Sequence, residues 1–281
     1  MLRLRIFTAV ALLLVLVPSV FYPDPVGFAF VAGILMACGA WEWSRLNGAS
    51  GFSALSTGGL CAMCCIFIWN APLEPGALQL IWIVSAIVWV FGGGYLLRSG
   101  VGSWNHIPAV VRQLVGFLLL CAAWLAVVSA RSKGINFLFS AMSLVWVADI
   151  AAYFAGRRFG GQFIHAKLAA SISPGKTREG ALGGLMGVLV LAHIWQWADS
   201  FFALDSNSIF TILASYHWVY LLLGSLFLGG MSVAGDLLES LVKRAAGAKD
   251  SSQLLPGHGG VLDRVDALLP VLPLAMLLQS F

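Results

Sequence analysis

Residues 217–244 read HWVYLLLGSLFLGGMSVAGDLLESLVKR, and this stretch decides the fold. From Trp218 to Gly235 it carries no charge, and about 20 such residues in a helix cross the hydrocarbon core of a bilayer. Four polar side chains then follow at helical spacing: Asp236, Glu239, Ser240 and Lys243 fall on one face, and Leu237, Leu238, Leu241 and Val242 cover the other. A carboxylate at membrane depth is costly, so this polar face must look into protein or water, and by default it marks a functional site. The expectation is a membrane helix that runs directly into a site.

The rest of the chain agrees. Of 281 residues, 60% are apolar and 10% are charged, against roughly 25% charged in soluble domains. A water-facing globule of this size has too few polar groups to cover its surface, and disorder is excluded by the same composition. The apolar residues come in long runs rather than in two-residue alternation, which excludes a β-barrel. The fold class is therefore all-α, a polytopic helical membrane protein. Nine candidate spans lie at about 4–22, 26–42, 54–71, 78–97, 112–130, 137–156, 180–200, 217–236 and 265–281. The last is short and holds Pro270 and Pro273, so a kink or tilt is expected there. No small-x-small cleavage signal follows the first run, so an uncleaved first helix is expected. Residues 1–136 form N-terminal transmembrane helices and residues 137–281 a C-terminal transmembrane catalytic region, both in one membrane unit. Cys38, Cys61, Cys64, Cys65 and Cys121 lie in apolar runs and read as small buried hydrophobes rather than metal ligands.

Orientation follows from the positive-inside rule. With the N-terminus in the cytoplasm, 14 of the 16 Lys and Arg residues fall inside, and only Arg131 and Lys133 fall outside. The inner set runs from Arg3 and Arg5 to Arg264. Two polar segments, about 156–180 and 236–266, then share the cytoplasmic face.

Chemistry concentrates there. Asp263 and Asp266 lie one helical turn apart, so together with Asp236 several carboxylates converge at one depth and repel unless a cation sits between them. Oxygen ligands without clustered His or Cys favour Mg²⁺, whose shell is completed by water and substrate phosphates. Lys243, Arg244, Lys249 and Arg264 surround the acids, and Gly257, Gly259 and Gly260 let backbone amides approach an anion. In the other segment Asp149, Tyr153 and Arg157 share a helix face, and a Pro174-Gly175 turn is expected to display Lys176, Thr177 and Arg178. A Walker motif is rejected, because the first glycine and the preceding strand are missing. Acids for a metal beside bases for phosphates point to phosphoryl or nucleotidyl transfer. His258 reads as a general base, a phosphate hydrogen-bonder or a turn residue. The plainer alternative is that Asp236, Lys243, Asp263 and Arg264 are interfacial charges that pair with one another or with lipid head groups. An ion-coupled transporter would also place acids in spans, but it should show two related halves with interrupted helices, and none are found.

Residues 240–266, SLVKRAAGAKDSSQLLPGHGGVLDRVD, resemble position by position the C-terminal pattern of the phosphatidate cytidylyltransferases, or CDP-diacylglycerol synthases. Residues 149–157 (DIAAYFAGR) and 173–180 (SPGKTREG) resemble upstream motifs of that family. The resemblance covers about residues 140–281, and Arg178 departs from it, standing where many bacterial members carry an aromatic residue. It implies transfer of CMP from CTP to phosphatidic acid, giving CDP-diacylglycerol and pyrophosphate. It further implies a requirement for Mg²⁺, with a monovalent cation such as K⁺ assisting, and a homodimer in a bacterial inner membrane without nucleic-acid partners. Asp236 and Asp263 would hold the metal, with Lys243, His258 and Asp266 in the catalytic set. Substrate contacts would come from Asp149, Tyr153, Arg157, Ser173, Lys176, Thr177, Arg178, Arg244, Lys249, Asp250 and Arg264. A CTP-dependent lipid kinase, transferring the γ-phosphate instead, is the nearest alternative.

Overall fold

The computed structural model describes residues 2–280, with side chains from Leu4 onward, so the side chain of Arg3 lies outside the described residues. The apolar runs form helices α1 (Leu2–Phe21), α2 (Val26–Leu46), α3 (Gly51–Asn70) and α4 (Pro75–Ile87). Helix α4 passes through a π-helical turn at Val88–Gly92 into α5 (Gly93–Ser99), and a short α6 (Val101–His106) follows. Next come α7 (Ala109–Lys133) and α8 (Ile135–Phe159), then a two-stranded antiparallel ribbon of β1 (Lys167–Ala169) and β2 (Ser173–Thr177). The chain ends with α9 (Arg178–Phe201), α10 (Ile209–Tyr216), α11 (Trp218–Ala245), α12 (Leu262–Val265) and α13 (Leu268–Leu278). Among the described residues, eight helices are long and apolar enough to cross a membrane, α4 and α5 counting as one.

The last apolar segment differs from the expected ninth span. It divides into the single turn α12 and the 11-residue α13, about 16 Å of helix at 1.5 Å per residue, roughly half a hydrocarbon core. Leu268 through Met276 are all buried. A helix that is apolar all round belongs inside a bundle, and α13 packs against α4, α7, α8 and α11. The run 265–281 therefore reads like a span because it fills the centre of one.

Small residues set the closest helix contact. A Cβ on Gly184 of α9 would lie 2.8 Å from the Ala148 carbonyl oxygen of α8, and one on Gly187 would lie 2.6 Å from Ala151 Cβ. Small side chains every few residues let two membrane helices approach backbone to backbone. This contact fixes the start of α9, and hence β2, against the end of α8.

The long helices alternate in direction, which gathers their polar ends into two layers. One layer contains the end of α2, the starts of α7 and α9, and the ends of α8 and α11. The opposite layer ties the loop after α9 to the start of α8. There Asp205 accepts from the Ile135 (2.5 Å) and Asn136 (3.0 Å) backbone N–H groups, capping α8. Gly134, with φ +149°, makes the bend that this requires, and a Cβ there would lie 3.1 Å from Asp205 Oδ2. Asp199 receives Asn136 Nδ2, Ser208 N and Thr211 Oγ1 at 2.9, 3.0 and 2.6 Å. Arg131 donates to Val20 O near the end of α1 and to Tyr22 O just beyond it. Arg131 and Lys133, the two cations expected apart from the rest, lie in this layer.

Burial alone would raise the Asp205 carboxyl, but the amides of Asn136 and Ile135, the Ser206 hydroxyl and Arg131 hold it below its ordinary value. A carboxylate depressed in the folded state adds stability above the unfolded value, about 3.9 for Asp, and loses it as pH falls through the folded one. Asp205→Asn is therefore expected to lower thermal stability at pH 7, with the difference from the parent shrinking as pH falls below the ordinary Asp value, as read by unfolding in detergent. A pH-independent difference would contradict this capping role.

Candidate active site

Helix α11 carries its polar face to the layer opposite Asp205. Lys243 forms an ion pair with Glu239, one turn back, at 2.5 Å and donates to Asp263 at 2.6 Å. The apolar face behaves as its spacing predicts: Leu237, Leu241 and Val242 pack with Trp104 and Ile172, and Leu238 joins the main core. Asp263 also accepts from Ser251 N and Oγ (both 2.9 Å) and from Gly260 N at 2.8 Å. Burial opposes its ionisation, but Lys243 and these amides hold the carboxyl below its ordinary value. The loop between α11 and α12 is folded around this one side chain. Gly259 adopts φ +85°, and a Cβ there would lie 2.7 Å from Asp263 Oδ2, so the turn needs glycine for conformation and for space.

A second anchor comes from the N-terminal half. Glu42, completely buried in α2, accepts from Ser251 Oγ (3.1 Å), Ser252 Oγ (2.5 Å), Val261 N (2.9 Å) and Leu262 N (2.7 Å). Its carboxylate thus satisfies the free amides at the start of α12. Sequence reasoning missed it, although an acid at the end of an apolar run, between Trp41 and Trp43, was the available signal. Glu239 was placed on the polar face of α11 without a role, and Glu179 was not named as a site residue. Glu179 is buried and receives the backbone N–H groups of Gly161 (3.0 Å), Phe163 (3.3 Å) and Ile164 (2.9 Å), which ties the loop after α8 to α9.

Between α8, β2 and α11 lies a cavity of about 410 Å³, lined by Asp149, Tyr153, Arg157, Lys176, Thr177 and Asp236. Lys176 forms an ion pair with Asp236. Tyr153 accepts from Arg157 at 3.1 Å, as their four-residue spacing predicts. The Thr177 hydroxyl caps α9 by accepting from Gly180 N at 3.1 Å. The expected Pro174-Gly175 turn is corrected: both residues sit within β2, and the ribbon reverses before it, between Ala169 and Ser173. A two-stranded ribbon is all edge, so a proline is tolerated in it. The strand carries Lys176 into the cavity.

The remaining candidates divide. Asp266 is half-buried, and its carboxyl is pushed up to about 7 by burial and by the charges of Asp236 and Asp149, which couples it to the cavity. Ser173 begins β2, half-buried, whereas Arg178 and Arg264 are exposed. Arg244 reaches Ile172 O at 3.4 Å and Ala248 O at 3.0 Å, holding the ribbon against the loop. Lys249 and Asp250 line a depression of about 630 Å³ with Arg45, Ser251, Ser252 and Gln253. His258 lines neither of these; its turn closes through His258 N to Leu255 O at 2.8 Å and leans on α1, where Thr8 Oγ1 donates to Pro256 O at 2.9 Å. Of the four charges in the interfacial alternative, Asp263 pairs with Lys243, as that alternative expects, whereas Asp236 pairs with Lys176.

Among the described residues, no three His, Cys, Asp or Glu side chains converge as a ready-made metal cage. Mg²⁺ does not need one, since it often uses one or two carboxylates with water and substrate phosphates. Asp236 and Asp149 line one cavity and suit that chemistry, whereas the oxygens of Asp263 are already taken by Lys243, Ser251 and Gly260.

The profile of the cytidylyltransferase family matches residues 3–281. The chain belongs to that family. A phosphatidate cytidylyltransferase of Pseudomonas aeruginosa is 35% identical over 279 residues, covering 97% of this chain and 95% of the relative. That of Haemophilus influenzae is 33% identical, covering 97% and 96%, and one from Staphylococcus aureus is 32% identical, covering 99% and 100%. The chain is thus an integral membrane nucleotidyltransferase. Because the match begins at residue 3, the family pattern includes the N-terminal helices, and with them α2 and its Glu42.

Glu42→Gln replaces an acceptor-only group facing four donors by one that carries its own N–H groups. It is expected to lower stability by about 1–3 kcal/mol, the range for a buried group left unsatisfied, and to reduce turnover in parallel. Unfolding in detergent followed by an activity assay checks this, and a variant of native stability would contradict the anchoring role.

Proposed function

We propose that the cavity bearing Lys176 and Asp236 is where CMP passes from CTP to phosphatidic acid, giving CDP-diacylglycerol and pyrophosphate. The observation that carries this reading is the position of that cavity. It combines cationic and anionic side chains at the polar end of an apolar bundle, where a lipid phosphate and a water-borne nucleotide can meet. An oxygen of the phosphatidate phosphate attacks the α-phosphorus of CTP; that P–O bond forms as the bond to the β-phosphate oxygen breaks, and pyrophosphate leaves. Lys176 and Arg157 neutralise the phosphate charge, and Tyr153 steadies Arg157 through the hydrogen bond between them. Lys243 fixes the loop that closes the site beside α11. Asp236, with Asp149 beside it, would hold Mg²⁺, which supplies charge neutralisation at the phosphates when bound. The geometry favours Asp236 over Asp263 for that role, because Asp263 is engaged in holding the loop.

On the charge asymmetry we assign the N-terminus and the site to the cytoplasmic side of a bacterial inner membrane. On the family resemblance we assign the working unit as a homodimer. Cysteines introduced at Ile135 and Asp250 are expected to react with impermeant reagents from opposite sides of oriented vesicles. Labelling of both from one side would overturn that topology.

Purified protein given CTP, phosphatidic acid and Mg²⁺ is expected to place label from α-labelled CTP in the lipid. Label entering only from γ-labelled CTP would instead identify a lipid kinase, and none in either case would leave a transporter. Lys176→Ala is expected to raise the KM for CTP about tenfold, equivalent to roughly 1.4 kcal/mol. An unchanged KM would remove Lys176 from the nucleotide site.

A further inference from the structure

On the other side of α11 lies a second cavity, of about 270 Å³, that the reaction above does not use. Its walls are apolar: Trp43 and Leu46 of α2, Gly92 and Leu96 about the π-turn, and Val115 and Leu119 of α7. Its mouth lies beside Tyr95 and Val111, which are exposed on the bundle surface that faces lipid. Its inner end reaches Leu238, Glu239 and Asp266. Glu239 is the residue that grips Lys243, so this apolar chamber connects the bilayer with the charged cluster of the site.

Two donors in its wall lack partners, and the Glu239 carboxylate at its inner end, though ion-paired with Lys243, accepts no hydrogen bond. Trp89 sits in the π-turn, 9% exposed, and its Nε1–H makes no hydrogen bond. Arg112, at the start of α7, has a buried Nε–H without an acceptor, while its guanidinium lies 5.9 Å from the Trp104 ring centroid and its Nη1 is 3.4 Å from Asn105 Oδ1. Buried donors are almost always satisfied, so two in one apolar chamber point to an occupant that supplies acceptors. Arg112 suits a phosphate, Trp89 suits an ester carbonyl, and the walls suit hydrocarbon. π-turns of this kind are frequent at functional sites.

We infer that this chamber receives the phosphatidate substrate from the bilayer, lodging an acyl chain while Arg112 meets the phosphate on entry, before that phosphate passes to Lys176 and Arg157 for transfer, and that Gly92 in the π-turn sets the room available to the chain. The inference rests on the proposed reaction for the identity of the lipid. The chamber's continuity with Glu239 and Asp266 argues for a substrate rather than an annular lipid, since an annular lipid needs no path inward. Its wall holds one cation, Arg112, and two acids, Glu239 and Asp266, so an anionic head group is placed at Arg112.

Gly92 gives the means to test it. A Cβ there would meet only Val88 Cγ1, at 3.9 Å, so Gly92→Ala is accommodated without distortion and Gly92→Leu adds bulk at a position that lines the chamber. In the first arm, phosphatidate carrying a photoreactive diazirine on one acyl chain is irradiated with the detergent-solubilised full chain, without CTP. The expected adducts fall in residues 88–96 and 111–119, at chamber-facing positions such as Val115 and Leu119. They should diminish in Gly92→Ala and vanish in Gly92→Leu. Phosphatidylcholine with the same chain should instead mark lipid-facing Leu114 and Leu118, which are 56% and 55% exposed. Phosphatidate adducts confined to those outward positions, or indifferent to Gly92→Leu, would overturn the inference.

The second arm is kinetic. Gly92→Leu is expected to raise the KM for dioleoyl-phosphatidate about tenfold, with Gly92→Ala between, while the KM for dihexanoyl-phosphatidate and that for CTP stay unchanged. A rise shared by the short-chain substrate and CTP would signal general damage and count against the chamber. Chamber adducts from wild-type protein that makes no CDP-diacylglycerol would strike the proposed reaction while supporting the chamber itself. Turnover with no chamber adducts would do the reverse.

Discussion

The site depends on one ammonium group held between two carboxylates. Lys243 bridges Glu239 on its own helix and Asp263 in the following loop, and all three side chains are withdrawn from solvent, at 12% exposure for the lysine and 6% for each acid. Charges in such surroundings are expensive singly and tolerable together, because losing one partner leaves the others buried and uncompensated. The course of the loop from residue 246 to 261 is dictated by where Asp263 must sit to meet Lys243, and by where Ser251 and Gly260 must sit to meet Asp263. Glu42 reinforces this from α2, so that a helix from the first fifth of the chain and a loop from the last fifth share one polar core.

Much of this was legible in the residue order, for an identifiable reason. A lipid solvent penalises charge so heavily that each of the few charged residues is informative, and span positions and the two polar segments follow almost directly. Helix periodicity correctly placed Asp149, Tyr153 and Arg157 in one cavity, and Asp236 and Lys243 at the same end of α11. Pairing was not legible, because Lys176 meets Asp236 through tertiary packing of a ribbon that no local pattern announces. Pro174 and Gly175 read as a turn by their chemistry, yet they lie within a strand because a lone ribbon has no neighbour to demand the missing N–H. The final segment read as a span because an interior helix and a lipid-facing one are equally apolar. Glu42 was not legible, because a lone acid forms a cluster only once the chain has folded.

Helix α11 divides the site into two environments. On the β2 side its Asp236 looks into a cavity lined with charge; on the α7 side its Gly235 and Leu238 wall an apolar chamber. Asp266 connects them, lining the apolar chamber while feeling the charge of Asp236 and Asp149. An enzyme joining a water-soluble nucleotide to a membrane lipid needs both environments within one bond length of reaction. A single helix with a polar face and an apolar face is the smallest element that can separate them and yet hold both.

The two lysines then differ in kind. The Lys176–Asp236 pair keeps 27% and 30% of its side-chain surface open, and an ion pair so exposed is worth about 0–1 kcal/mol. It can therefore open at little cost and exchange its carboxylate for a polyphosphate. Lys243 has no such freedom, because its two acids are buried and one of them organises a loop. Charge that must move during turnover sits where water can help it move, and charge that must stay sits where leaving would strand its partners. By that criterion Lys176 is the lysine free to meet a substrate under the proposed reaction, and Lys243 the one that holds the loop.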